Sequence, residues 1–326
     1  MRKFLIQRTG SILLTYFVFV TLLFVLFRLT PGDPTSMYVT QGMTAEQQEA
    51  IIEAYGLNEP YHIQYRDFLI QLITGEPHRF GESYHYNVPV WDVISTRIWN
   101  TLALMIPALI TAYTFGIIFG AYIGSIRDTA REKIGLLVGL TARSSPEFWI
   151  GIVLLMIFSL QLGLFPTGGM RSVGTGIPES FAERYLTTDF IWHLFLPYLT
   201  GTIFFMAQPI LLMRSSIVDV INKDFIEIKE AEGLSESTII YRHASRNAIL
   251  PMITQLGIVF GVAVGGAVVI ETLFSWPGMG RAMVDAVNFN DYPLAMGAFF
   301  ILGSSVILMN FIADIVYVWA DPRVEH

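Results

Sequence analysis

Two stretches of the sequence carry residue types at spacings that could do more than hold a fold. The first is Arg143-Ser144-Ser145-Pro146-Glu147, which sets a guanidinium, two hydroxyls and a carboxylate inside an apolar run. Arg143 and Glu147 stand four apart, the spacing of neighbours on one helix face, and can pair if Pro146 does not break the helix first. A charge at mid-bilayer depth costs about 2.5–3.5 kcal/mol on insertion scales, so Arg143 is expected to face protein or a water-filled cavity. Two readings stay open, a buried pair that sets helix register and a lining for a solute path. Ser144 or Ser145 beside Glu147 is also the one nucleophile-and-carboxylate combination in an apolar run, and it lacks a histidine.

The second stretch is the polar interval 213–251, flanked by apolar runs. Residues 224–232 can form about two helical turns, with Gly233 where a left-handed stop is wanted and Ser235 placed to cap a following helix. Phe225, Ile228 and Glu232 fall on one stripe, with Ile226 beside it. A helix this short is marginal in water and needs a partner to hold it. It is either an amphipathic connector on the lipid headgroups or a docking element that inserts its Phe/Ile face into another protein.

Other chemistry is thin. His62, His78 and His85, with Glu82, match no compact ligand motif, so no metal site is expected. There is no cysteine, which removes disulfides and thiolate chemistry. No phosphate loop, no His-Glu-x-x-His and no Gly-x-Ser-x-Gly occurs, so no catalytic residue, nucleotide site or other cofactor is expected. Nor is there a basic stripe for nucleic acid.

The elements that must position these residues are membrane spans. With 53% hydrophobic and 14% charged residues, the chain is too apolar for an ordinary soluble domain. Six runs reach the roughly 20 residues a spanning helix needs, near 9–28, 99–125, 134–162, 190–213, 248–271 and 293–319. The first has basic residues ahead of it but no small-residue cleavage pattern after it, and reads as an uncleaved anchor. Pro146 is expected to kink or break the third. Gly116, Gly120 and Gly124 in the second run, and Gly257, Gly261 and Gly265 in the fifth, recur at four-residue intervals. Such faces suit close helix packing, and the fifth-span face could alternatively keep a path wide. Asp314 near the end of the sixth run reads as a helix or loop cap.

Lysine and arginine set the orientation. With the N-terminus inside, the inner segments hold 12 of the 20 Lys+Arg, including all four lysines. This predicts a cell-membrane protein with both termini cytoplasmic, an outer insert over 30–98 and a cytoplasmic loop over 214–247. Within the insert, 44–55 and 61–72 read as helices, while Phe80-Gly81 and 88–90 read as loop. No internal repeat or linker divides the chain, so 1–326 reads as one transmembrane domain.

The polar interval resembles the cytoplasmic loop of ABC importer permease subunits, whose pattern is Glu-Ala-Ala, three residues, then Gly. Glu227 and Gly233 match, while Ile228 and Lys229 replace the alanines. The wider string MRSS…EGLS…RHASRNAILP, with PGDP at 31–34, ETLFSWPGMGR at 271–281, DYP at 291–293 and DPR at 321–323, is similar to the dipeptide/oligopeptide branch. The resemblance implies an all-α membrane protein of six transmembrane helices, type I importer permease-like, with a short helical outer insert. It implies contact with ATPase subunits through Phe225, Glu227, Ile228, Ala231 and Gly233. It also implies a path near the fifth span, for which Gly257, Gly261 and Gly265 are candidates; Arg143 and Glu147 are further path candidates from their mid-span position alone. The implied partners are a second permease in a heterodimer, two ABC ATPases, an external solute-binding protein and the lipid membrane. Peptides or similar small solutes are the implied cargo, with nickel or oligosaccharide as alternatives. Arg143 departs from the small or apolar residue the family usually has there. An ion-coupled secondary transporter is the competing class; it would need no docking helix and would show paired broken spans.

Overall fold

The computed structural model describes residues 2–29, 58–75, 80–176 and 178–320, with isolated positions 44, 46, 49 and 53. The expected helix over 44–55, the PGDP and DPR strings and His78 lie wholly or mostly outside the described residues.

Long apolar helices dominate. Helix α1 spans Arg2–Leu29, and α2, Tyr61–Thr74, follows in the insert. Helix α2 runs two residues past the expected end at Leu72 and stops at Thr74, because Gly75 takes φ +78° and its N–H closes the last turn on the Gln71 carbonyl. A small antiparallel hairpin of β1 (Glu82–Ser83) and β2 (Val88–Pro89) replaces part of the expected loop and leads into α3, Val90–Ser125. Next come α4 (Ala130–Ser144), α5 (Glu147–Leu154, continued by a π-helical stretch Leu155–Gln161), α6 (Phe181–Tyr185) and α7 (Thr188–Ile221).

After α7 the chain makes the short α8 (Asp224–Ala231) and α9 (Glu236–Thr238). A π-helical stretch Ile239–Ala244 and α10 (Ser245–Ala248) follow. Then α11 covers Leu250–Gly265, α12 Val268–Leu273, α13 Met279–Asn288 and α14 Tyr292–Ala320.

Among the described residues, five helical segments are long and apolar enough to cross a membrane. A sixth span forms if the bent pair α4–α5 counts as one. That pair bears out the break expected at Pro146 in the 134–162 run, the chain turning by 100° at Ser145–Pro146. Pro146 lacks the N–H that would continue the ladder, and Ser145 before it sits in an extended conformation. The 248–271 run is broken as well. Gly266 takes φ +117° and packs on the Gly280 backbone, which separates α11 from α12. Helix α7 runs past the expected boundary at 213 to Ile221, since Met213, Ile217 and Val220 extend its buried stripe.

Helices α3 and α7 form the central pair. A Cβ on Gly116 would lie 2.6 Å from Pro209 Cγ, and one on Gly120 2.6 Å from the Ile210 carbonyl oxygen, so this seam depends on small residues. Helices α11 and α14 make a second seam, and α1 packs on α14. Three apolar clusters fill the interior. One lies around Val20, Phe68, Ile94 and Leu294, a second around Leu104, Leu196, Ile270 and Trp276, and a third around Met213, Ile226, Ile240 and Met252.

Candidate functional site

The polar interval folds as its local signals require. Helix α8 closes with a paired stop. Gly233, at φ +79°, donates to the Glu230 carbonyl (2.9 Å), and Leu234 reaches back to the Lys229 carbonyl (3.4 Å). This is the Schellman arrangement, and only a residue at ease with positive φ holds it without strain. The Ser235 hydroxyl then accepts from the Thr238 N–H and opens α9. Lys229 clamps Glu232 with both carboxylate oxygens in reach (2.8 and 2.7 Å), which braces the last turn.

Tertiary packing decides which face of α8 points inward. Ile226, 2% exposed, plugs into the third cluster against residues of α7 and of the π-helical stretch 239–244. Phe225 is half-buried against the same cluster. This corrects the expectation that Phe225 and Ile228 act as one outward pair, since the chain itself covers most of Phe225. Ile228 remains 57% exposed, with Glu227, Ala231 and Gly233 also at the surface. The inward anchor is therefore Ile226, and the outward apolar group is Ile228.

Two polar links tie this corner to the neighbouring helices. Arg127 Nη1 donates to Asn222 Oδ1 (3.1 Å), one residue before the Lys223 cap of α8. Arg214 on α7 pairs with the buried carboxylate of Glu132, its Nε lying 2.9 Å from Oε1. Glu132 also accepts from the Asp128 N–H (2.6 Å), and its own N–H donates to the Thr129 hydroxyl, so one carboxylate joins the start of α4 to α7.

At the α4–α5 elbow, Arg143 is exposed and Glu147 half-buried, and among the described residues no ion pair joins them. The 100° turn separates the faces that a continuous helix would have superposed. Ser145 Oγ donates to the Thr141 carbonyl (2.8 Å), so this hydroxyl is engaged along its own helix rather than turned to a carboxylate.

Gly257, Gly261 and Gly265 all face α14. Cβ atoms there would collide with Ala313, with Val306 Cα at 2.9 Å and with Leu302. Within this chain that face is filled by a helix.

Asp314 is not a cap. It forms an ion pair with Arg8, joining α14 to α1.

One polar centre has no counterpart among the expected site residues. Glu271 on α12 is fully buried inside the ETLFSWPGMGR string. Its Oε1 accepts from the Thr101 hydroxyl (2.8 Å) and the Ala267 N–H (3.2 Å), and its Oε2 from the Arg281 N–H (3.0 Å). Thr101 in turn accepts from the Met279 N–H (2.8 Å). Trp276 Nε1 donates to the Asn100 carbonyl, the Asn100 amide donates to the Pro277 carbonyl, and the Tyr185 hydroxyl donates to Asn100 Oδ1. Burial holds the Tyr185 phenol proton above the usual tyrosine range, which suits its donor role. The α12–α13 hairpin is thus sewn to α3. An acid in an apolar run was the available signal, because such a group demands internal partners.

Asp291 does similar work nearby. It is fully buried, accepts from the Leu294 N–H (3.1 Å) to start α14, and bonds Ser83 and the His85 N–H, holding the β-hairpin down. The His85 ring stacks on Phe289, with centroids 3.8 Å apart.

Comparison with known proteins agrees with this arrangement. Residues 112–326 match the family described as binding-protein-dependent transport system inner membrane component, and residues 1–105 match the N-terminal family of the same membrane components. The chain is 34% identical over 328 residues to the oligopeptide transport system permease protein AppB of Bacillus subtilis, covering all of both chains. It is 32% identical over 337 residues to the di/tripeptide transport system permease protein DppB of Pseudomonas aeruginosa, covering 100% of this chain and 99% of that one. Identity to the glutathione transport system permease protein GsiC of Salmonella choleraesuis is 30% over 327 residues, again over the full length of both. A solved structure of the MetNI methionine ABC transporter in an inward-facing conformation superposes with a TM-score of 0.54 at 14% identity. It covers 70% of this chain and 96% of that one, a likeness of fold. The chain belongs to the family of binding-protein-dependent transport system inner membrane components and is a multi-pass permease component of an ABC importer of the inner membrane.

Proposed function

We propose that this permease carries peptides or similar small solutes, and that α8 is its contact with a pair of cytoplasmic ATPase subunits. The relatives named for oligopeptides, di- and tripeptides and glutathione support the cargo. The observation that carries the coupling role is the division of α8 into a buried anchor, Ile226, and an exposed apolar group, Ile228, on a helix aimed by Gly233. Burying Ile228 in a partner groove contributes roughly 1.5–3 kcal/mol. Glu227 and Ala231 flank it at the contact. Displacement of α8 passes through the Ile226 cluster to α7 and through Asn222–Arg127 to the turn between α3 and α4. Helix motion of this rigid-body kind switches access from one side to the other. A partner permease, most simply a different chain of the same fold, completes the path, and a solute-binding protein delivers cargo outside. Both termini and 214–247 are cytoplasmic in this reading, as the lysine and arginine distribution supports. The elbow groups Arg143 and Glu147, unpaired with each other and within a spanning segment, line the path between the two permeases. The glycine face of α11 acts on that path indirectly, by letting α14 approach.

The test is uptake of a labelled peptide by vesicles carrying the assembled transporter. Gly233→Val and Ile228→Asp are expected to abolish ATP-driven uptake while membrane insertion stays at the wild-type level. Ile228→Asp is also expected to reduce the ATPase that co-purifies. Wild-type uptake with a full complement of ATPase in both variants would leave α8 as a connector lying on the headgroups.

A further inference from the structure

We infer that the chain holds one anionic phospholipid in a groove between α3 and the segment that follows α9, with its phosphate between Arg242 and Arg246. The groove, about 460 Å³, has two unlike walls. One is apolar and belongs to a membrane-spanning helix, with Ile117, Ile118 and Ala121 near the inner end of α3. The other is polar, with Tyr241, Arg242 and Arg246 from the π-helical stretch and α10.

Among the described residues, nothing answers the charge on the polar wall. Arg242 and Arg246 are both exposed, and among the described residues neither has a carboxylate or other hydrogen-bond partner for its guanidinium. The Ser245 hydroxyl, on the same wall, is shielded from solvent and also lacks a hydrogen-bond partner. Two guanidinium groups and a hydroxyl make a donor set suited to phosphate oxygens.

The apolar wall selects the kind of phosphate. Phe115, Ile118, Phe119 and Tyr122 form an exposed stripe on α3, at the i, i+3, i+4, i+7 positions of one helix face. The groove opens where Ile118 belongs to that stripe. Tyr122, near the inner end of α3, and Tyr241 are both substantially exposed, and aromatic rings of this kind are enriched at the bilayer–water boundary. An acyl chain can follow the stripe while the headgroup reaches the arginines, a combination that a free phosphate does not use. Basic pockets at the membrane face of helical proteins bind anionic headgroups by this division of labour.

The inference rests on the span assignment of α3. It needs neither ATPase, solute nor transport, so its failure and the failure of the coupling role are separately visible.

The experiment is native mass spectrometry of the full chain, delipidated in a non-ionic detergent and titrated with phosphatidylglycerol or with phosphatidylcholine. One phosphatidylglycerol is expected to bind about tenfold more tightly than phosphatidylcholine. Arg242→Gln and Arg246→Gln should each weaken that binding about fivefold, a typical effect for one basic residue at an anionic surface. Arg131→Gln, an exposed arginine on the same membrane face but outside the groove, should change it less than twofold. Ile118→Asn, which keeps both arginines and alters an exposed position, should weaken binding of phosphatidylglycerol as well. Glycerol 3-phosphate or inorganic phosphate at equal concentration should not displace the lipid. Displacement by either would make this a free-phosphate site and overturn the lipid. Equal losses from Arg131→Gln and Arg242→Gln would reduce the effect to diffuse surface charge. Unchanged lipid binding in Arg242→Gln/Arg246→Gln, with loss of co-purifying ATPase, would assign the groove to the ATPase instead.

Discussion

The α12–α13 hairpin around Glu271 and the corner around α8 are built on opposite terms. In the hairpin, a fully buried carboxylate accepts from Thr101, Ala267 and Arg281, and Trp276, Asn100 and Tyr185 are likewise hydrogen-bonded within the chain. At the corner, Ile228 stands exposed, and Arg242 and Arg246, after the following short helix, have no acidic partner among the described residues. The elbow at Arg143 and Glu147 belongs with the corner in this respect. A chain that satisfies one polar centre completely and leaves others open separates what holds it together from what it offers to other molecules. The open groups are the ones to which partners, path or lipid are assigned.

That contrast can be broken from either side. Glu271→Ala should have the largest effect, since it removes the acceptor of three donors, one of them fully buried, at up to roughly 1–3 kcal/mol each. Thermal unfolding of the solubilised chain should shift down by many degrees, or the variant should fail to accumulate in the membrane. A midpoint unchanged within about 1 °C would mean the hub contributes little. Ile226→Ala comes next. Removing a side chain that is 2% exposed should cost about 2–4 kcal/mol locally. Amide exchange over 224–231 should accelerate while protection over 268–273 stays put. Equal acceleration in both segments would show that corner and hairpin unfold as one unit, and the distinction would lapse. Arg143→Leu should have the smallest effect on stability, within about 0.5 kcal/mol, because Arg143 has no ion pair among the described residues. Its consequence should instead be altered uptake or altered preference among labelled peptides. Wild-type uptake of every peptide tried, with lowered thermal stability, would move Arg143 from the path to the scaffold.

Much of the corner was legible in the sequence because its signals are local. Gly233 stops α8 and Ser235 caps α9 through hydrogen bonds that span five residues or fewer, and a residue's neighbours along the chain suffice to specify them. The apolar runs were legible for a related reason, since length and composition alone decide what can cross a hydrocarbon core. Pro146 announced a break in the same way, through a missing N–H.

What the tertiary structure alone decided concerns direction and long-range partnership. The α4–α5 turn is 100°, with both helices packed on α7, and across it no ion pair among the described residues joins Arg143 to Glu147. Ile226 rather than Phe225 became the anchor of α8 because α7 and the 239–244 stretch dock on that side; a short helix with apolar residues on adjacent faces does not choose between them by itself. Arg8 and Asp314 lie 306 residues apart in sequence, and Thr101 and Glu271 lie 170 apart. Spacing in the sequence carries no information about such pairs, because what unites them is the packing of whole helices. The sequence determined by itself which runs are long and apolar enough to span and that they belong in a membrane; only the assembled bundle determined where α7 ends and where α11 breaks from α12, which polar groups find each other and which are left to face outward.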